Sequence, residues 1–97
     1  MLVTVTGSYR TGERWTYPPE LREALATLGV APRADTPPAF ARAAVDELYK
    51  YELRRLRDRH RAGQVAKAAF AQAVVALRKK YWVLTLPLGA WEKVCGR

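Results

Sequence analysis

Between Val45 and His60 the apolar side chains follow one spacing, and that spacing leaves the chain little choice of local structure. Val45, Leu48, Tyr49, Leu53, Leu56 and His60 lie at i, +3, +4, +8, +11 and +15. At 3.6 residues per turn they share one helix face, whereas a strand would scatter them over both sides of a sheet. The opposite side carries Lys50, Arg54, Arg57 and Arg61, a straight cationic ridge. Asp46 and Asp58 are spaced to pair with Lys50 and Arg54 at i,i+4, which offsets the ridge only in part. Pro37 and Pro38 open this helix behind Asp35 or Thr36 as a natural N-cap, and Gly63 punctuates its end. A helix over about 37–62 is expected.

An amphipathic helix needs a surface to cover it, and the next segment supplies one. Ala66, Phe70, Ala73, Val74, Leu77 and Tyr81 form a second stripe, predicting a helix over about 65–81. So short a connection folds the two back on each other as an antiparallel helical hairpin, sealed by Leu53, Leu56, Phe70, Val74 and Leu77. A turn centred on Gly63 sets Leu53 near Val74, Leu56 near Phe70, Tyr49 near Leu77 and Val45 near Tyr81, give or take one helical turn.

The remaining elements are shorter. Leu21, Ala24, Leu25 and Leu28 follow Pro18-Pro19 at helical spacing and stop at Gly29, predicting a short helix over about 19–28. Thr4, Val5, Thr6, Tyr9, Trp15, Thr16 and Tyr17 favour strands, and Thr11-Gly12 between them suits the turn of an N-terminal β-hairpin over about 2–17. Val83 to Leu88, broken by Pro87, reads as an extended strap, with a helical turn over Ala90 to Val94. The expected fold is mostly α, in one small basic domain spanning residues 1–97.

Size and composition exclude more than they assign. A chain of 97 residues supports a single core. Cys95 is its only cysteine, which rules out an internal disulfide and a thiolate-built metal site, and a lone cysteine packs like a small hydrophobe. The absence of Asn and Ile, with abundant Arg and Pro, suits a thermophile or a GC-rich genome equally and bears on no function. No apolar run approaches the roughly 18 residues of a membrane span, and the first residues do not read as a signal peptide. A cytoplasmic location is the expectation.

Chemistry-bearing patterns are sparse. The glycines in Val5-Thr6-Gly7-Ser8-Tyr9-Arg10-Thr11-Gly12 lack the strand-turn-helix setting that a dinucleotide-binding turn requires. Leu28-Gly29-Val30 precedes a connection too long for a helix-turn-helix. His60 has no second histidine to share a metal, and Glu52, flanking the apolar stripe, must either snorkel outward or meet a cation or a tyrosine hydroxyl from the following helix, a structural ion pair with Arg55 or Arg78 being expected rather than catalysis. No catalytic set, cofactor motif or metal spacing is present in the sequence, so activity as an enzyme is not expected.

What remains is a binding module with net charge +8 and pI about 10.2. A protein–protein role is the first reading and requires an exposed apolar patch. The alternative is a nucleic-acid-binding accessory protein, which requires a continuous positive face. Its phosphate contacts would be Lys50, Arg54, Arg57 and Arg61, with Arg78, Lys79 and Lys80 as a second patch, and Tyr51, Tyr81 and Trp82 as stacking candidates. Partners are therefore an acidic protein or a nucleic acid. Trp15, Trp82, Trp91 and the Val83 to Leu88 strap exceed what so small a fold is expected to cover, which also suggests a homo-oligomer.

Overall fold

A computed structural model describes residues 3–5 and 14–96. The order is β1 (Val3–Val5), α1 (Pro19–Thr27), β2 (Val30–Pro32), α2 (Pro38–Arg61), α3 (Lys67–Lys80), a 3-10 turn (Trp82–Thr85) and α4 (Leu88–Cys95). The short helix and the helical hairpin stand where the apolar spacing puts them.

Proline and glycine set the boundaries. Pro19 starts α1 and Pro38 starts α2, positions where a missing N–H costs nothing because the first helical N–H groups lack an intrahelical acceptor anyway. Gly29 ends α1 at φ 84° and Gly63 ends α2 at φ 77°, left-handed conformations that penalise any residue with a Cβ. After α2 the Gly63 N–H donates to His60 O at 3.0 Å and the Gln64 N–H to Arg59 O at 2.9 Å, the paired bonds of a Schellman end. Neither Asp35 nor Thr36 caps α2. Thr36 is buried, its hydroxyl accepts the Arg33 N–H at 3.0 Å, and the Tyr17 hydroxyl donates to its carbonyl at 2.8 Å, so it closes the preceding loop instead.

The N-terminal strand pairs differently from expectation. β1 lies parallel to β2, with Val3 opposite Val30 and Val5 opposite Pro32, while Arg14 to Tyr17 run without strand structure. The turn expected at Thr11-Gly12 lies outside the described residues. A parallel pair needs a long crossover, and α1 lies within it. Trp15 N–H and Thr16 N–H instead bond Ala34 O and Cys95 O, at 2.7 and 3.0 Å, tying the chain before α1 to the β2–α2 loop and to the end of α4.

The expected strap is also a correction. Residues 82–85 wind into a 3-10 turn and α4 begins at Leu88, so Trp91 is carried inward and is fully buried, its indole N–H donating to Val83 O at 3.0 Å. Arg42 of α2 locks this segment down, its guanidinium donating to Leu84 O and Leu86 O, both at 3.0 Å. Cys95 is buried too, and burial pushes its thiol up to about 11.

The core is confined to one end of the molecule. Tyr17, Leu21, Leu25, Val30, Ala41, Val45, Tyr81, Val83, Trp91 and Cys95 form it, and from Asp46 to Lys80 no residue is buried. The outer two-thirds of α2 and all of α3 therefore project as a two-helix arm, which accounts for overall dimensions of 50 × 22 × 21 Å. Among the described residues no helix is long and apolar enough to cross a membrane. The apolar surface that suggested self-association is largely consumed, because Trp91 and Val83 are interior and Trp15 is half-buried, leaving Trp82 exposed.

Candidate anion-binding arm

The inner seam of the arm decides which side chains are left outside. Phe70 stacks on His60 with ring centroids 4.5 Å apart, and Tyr81 meets Tyr49 edge-on at 5.4 Å. The register thus runs about one helical turn from the pairing centred on Gly63, with Phe70 opposite His60 rather than Leu56 and Tyr81 opposite Tyr49 rather than Val45. His60 is half-buried in this seam, its Nδ1–H donating to Val65 O at 2.8 Å across the turn.

Glu52 finds its partners on α3 and just beyond it. The Tyr81 hydroxyl donates to its carboxylate and Lys80 Nζ lies 3.1 Å from Oε2 and 3.3 Å from Oε1, so Lys80 takes the place expected for Arg55 or Arg78. Burial by itself would raise the Glu52 pKa, but the hydrogen bonds from Tyr81 and Lys80 and the charges of Lys80 and Arg55 together outweigh it and hold the carboxyl below its usual value. Burial, followed by that carboxylate, drives the Tyr81 phenol well above its ordinary range. The cluster fastens the base of α3 to α2.

Charge is segregated along the chain. Residues 50–80 hold ten Lys and Arg against two acids, Glu52 and Asp58, while the other 66 residues hold seven cations and seven acids. The whole net charge of +8 therefore sits on the outer part of the arm, residues 50–80, and counting Asp46 and Glu47 at its base leaves +6. All ten arm cations are exposed. Lys50 is the most compensated, with Asp46 at 3.0 Å and Glu47 at 3.8 Å, and these acids raise its pKa. Among the described residues no carboxylate lies within 4.0 Å of Arg54, Arg57, Arg59, Arg61, Arg78 or Lys79, and the expected Asp58–Arg54 pair is not formed.

The cations fall into separate groups. Lys50, Arg54, Arg57 and Arg61 are all exposed on α2, at the spacing of one helix face. Arg78, Lys79 and Lys80 do not form a second patch, because consecutive helix positions turn by about 100°. Arg78 borders a small cavity of about 200 Å³ with Tyr49, Tyr81, Leu84 and Thr85; Lys79 lies beside Val75 and Ala76 on the outer face of α3; Lys80 is held by Glu52. Sequence reasoning overlooked a third group. Arg55 and Arg59 line the flank of α2 away from the ridge, beside a groove of about 290 Å³ between the helices, with Tyr51 at its edge. Their one-turn spacing is visible in the sequence, but that they border a groove depends on the register against α3.

Of the stacking candidates, Tyr81 is interior, whereas Tyr51 and Trp82 are 53% and 45% exposed. The Arg55 guanidinium lies over the Tyr51 ring, 5.7 Å from its centroid. Among the described residues no cluster of three or more His, Cys, Asp or Glu could hold a metal ion. No protein-family model matches this chain, nor does any curated protein or solved structure, so the arm is interpreted from its own geometry and charge.

Proposed function

We propose that the protein is a cytoplasmic nucleic-acid-binding accessory module that grips phosphates with its helical arm while the charge-balanced end acts as a folded base. One observation carries the reading: residues 50–80, the outer part of a projecting element with no buried residue, hold a net charge of +8, equal to that of the whole chain. Exposed like charges one turn apart destabilise a helix by about 0.2–0.5 kcal/mol per pair, so a surface crowded with arginines without carboxylate partners adds nothing to folding. A phosphate backbone relieves that repulsion and releases its own counterions. The ridge sets successive cations about 5 to 6 Å apart along the helix, a spacing that follows neighbouring phosphates. Such contacts read no base edges, so affinity should vary little with sequence. The proposal needs no second copy of the chain.

The test replaces Arg54, Arg57 and Arg61 with Gln and compares binding to a labelled oligonucleotide duplex at low ionic strength. None of the three side chains is buried or paired with an acid, so the variant should keep the wild-type circular dichroism. The proposal expects binding by the wild type and a clear loss in the variant. Absence of wild-type binding would sink it, and equal affinities would move the site off the ridge. The protein–protein reading draws support from a different surface, the exposed outer face of α3 at Ala71, Val75 and Ala76, where an acidic partner could meet Lys79. Replacing Val75 by Glu would weaken such a partner while reducing oligonucleotide binding far less than the triple substitution.

A further inference from the structure

The groove on the flank of α2 away from the ridge combines features that phosphate binding alone does not require. Its floor is apolar, made by Leu56 of α2 with Ala73 and Leu77 of α3, none of them fully covered. Its rim carries the Tyr51 ring, the guanidinium groups of Arg55 and Arg59, one helical turn apart, and Glu52, whose carboxylate is engaged by Lys80 and Tyr81. A ring that is 53% exposed stands outside the core, and Arg55 steadies it, with its centroid 5.7 Å from the guanidinium carbon and its hydroxyl 3.5 Å from Nη1.

We infer that this groove holds an unpaired nucleobase, and that the arm therefore prefers single-stranded over duplex nucleic acid. The inference rests on the phosphate-binding reading above and specifies its ligand. An unpaired base offers a flat π-face to Tyr51 and apolar area to the floor, and its flanking phosphates offer charge to Arg55 and Arg59. A volume of about 290 Å³ is ample for one base and its sugar. An apolar helix from a protein would find only three floor residues, with two exposed arginines and Glu52 at the rim. A duplex hides its base faces in the stack and presents only phosphates, which the ridge meets equally well. The two surfaces lie on different sides of α2, so the groove adds discrimination that the ridge lacks.

The experiment measures fluorescence anisotropy of a labelled twelve-nucleotide single strand, the same sequence as a duplex, and an abasic strand with the same phosphates, at one low salt concentration. Wild type, Tyr51→Ala and Tyr51→Phe are compared. Base–aromatic stacking predicts that Tyr51→Ala weakens the single strand about 5- to 100-fold and the duplex less than about 2-fold, with Tyr51→Phe close to wild type. The abasic strand should bind the wild type as weakly as the single strand binds Tyr51→Ala. Equal affinity of wild type for single strand and abasic strand, or the same loss from Tyr51→Ala on every probe, would overturn the groove while leaving the ridge standing. No binding of any probe would overturn both. Tyr51 lies outside the core, and unchanged circular dichroism confirms that the variants are folded.

Discussion

The same substitution made at the two ends of the molecule should give very different results, because Leu25 and Leu56 do different work. Leu25 is fully buried in the core formed by α1, β2, α2 and α4, so Leu25→Ala removes its transfer free energy and leaves a closed cavity. That combination costs about 2–5 kcal/mol. Leu56 lies half-buried in the floor of an open groove, where the space left by truncation joins the solvent. Half of the roughly 1.5–3 kcal/mol for full burial of a leucine leaves a cost of about 1 kcal/mol. A shift of about 4–8 °C per kcal/mol applies to a domain of this size, so Leu25→Ala should lower the midpoint by at least about 8 °C and Leu56→Ala by about 4–8 °C, with Leu25→Ala the larger. Thermal unfolding followed by far-ultraviolet circular dichroism checks both. An equal or larger loss for Leu56→Ala would refute the view that the arm contributes no buried core.

Two further outcomes follow from the contacts. The Glu52 pKa is lowered on folding, so its contribution is present above the unfolded value of 4.5 and fades as pH falls through the lower folded value. Wild type and Glu52→Gln should then differ in urea midpoint at neutral pH and converge in acid, a constant difference being contrary. The raised Tyr81 pKa has the opposite consequence, stability present below 10.0 and lost as pH rises beyond it, so one tyrosine should ionise only as the protein unfolds in alkali. Arg42→Ala deprives the Leu84 and Leu86 carbonyls of their donor and should cost about 1–3 kcal/mol in chemical denaturation, with Arg42→Lys intermediate because one ammonium cannot reproduce the planar fork. An unchanged midpoint in Arg42→Ala would contradict that role.

Periodicity made the helices legible, since the Val45 to His60 stripe and its counterpart over Ala66 to Tyr81 admit one local structure and a short loop between them one arrangement. Long-range pairing was not legible in the same way. β-propensity marks Val3 to Val5 as strand-forming but says nothing about its neighbour, and the partner is Val30–Pro32, more than twenty residues away. The segment before Trp91 was misread for a related reason. Pro87 breaks the preceding segment, which looks like a termination, yet the same proline stands as the N-cap of α4 and aims the indole inward. At the candidate site the ridge could be read from one helix, because it depends on a single periodicity. The groove lies between two helices and depends on a register that a shift of one turn would rearrange. Glu52 shows the limit clearly: the need for a partner was evident from its position beside the stripe, but Lys80 and Tyr81 could be chosen only once α3 was docked.

Phosphate binding by the arm's uncompensated arginines is read out by the salt dependence of duplex affinity. Three ridge arginines engaged at once predict a slope of log K against log salt of about −3. Replacing Arg57 alone with Gln should reduce the magnitude of that slope by about 1 with little dependence on sequence. Binding that is insensitive to salt, or a slope unchanged in the Arg57→Gln protein, would contradict the claim.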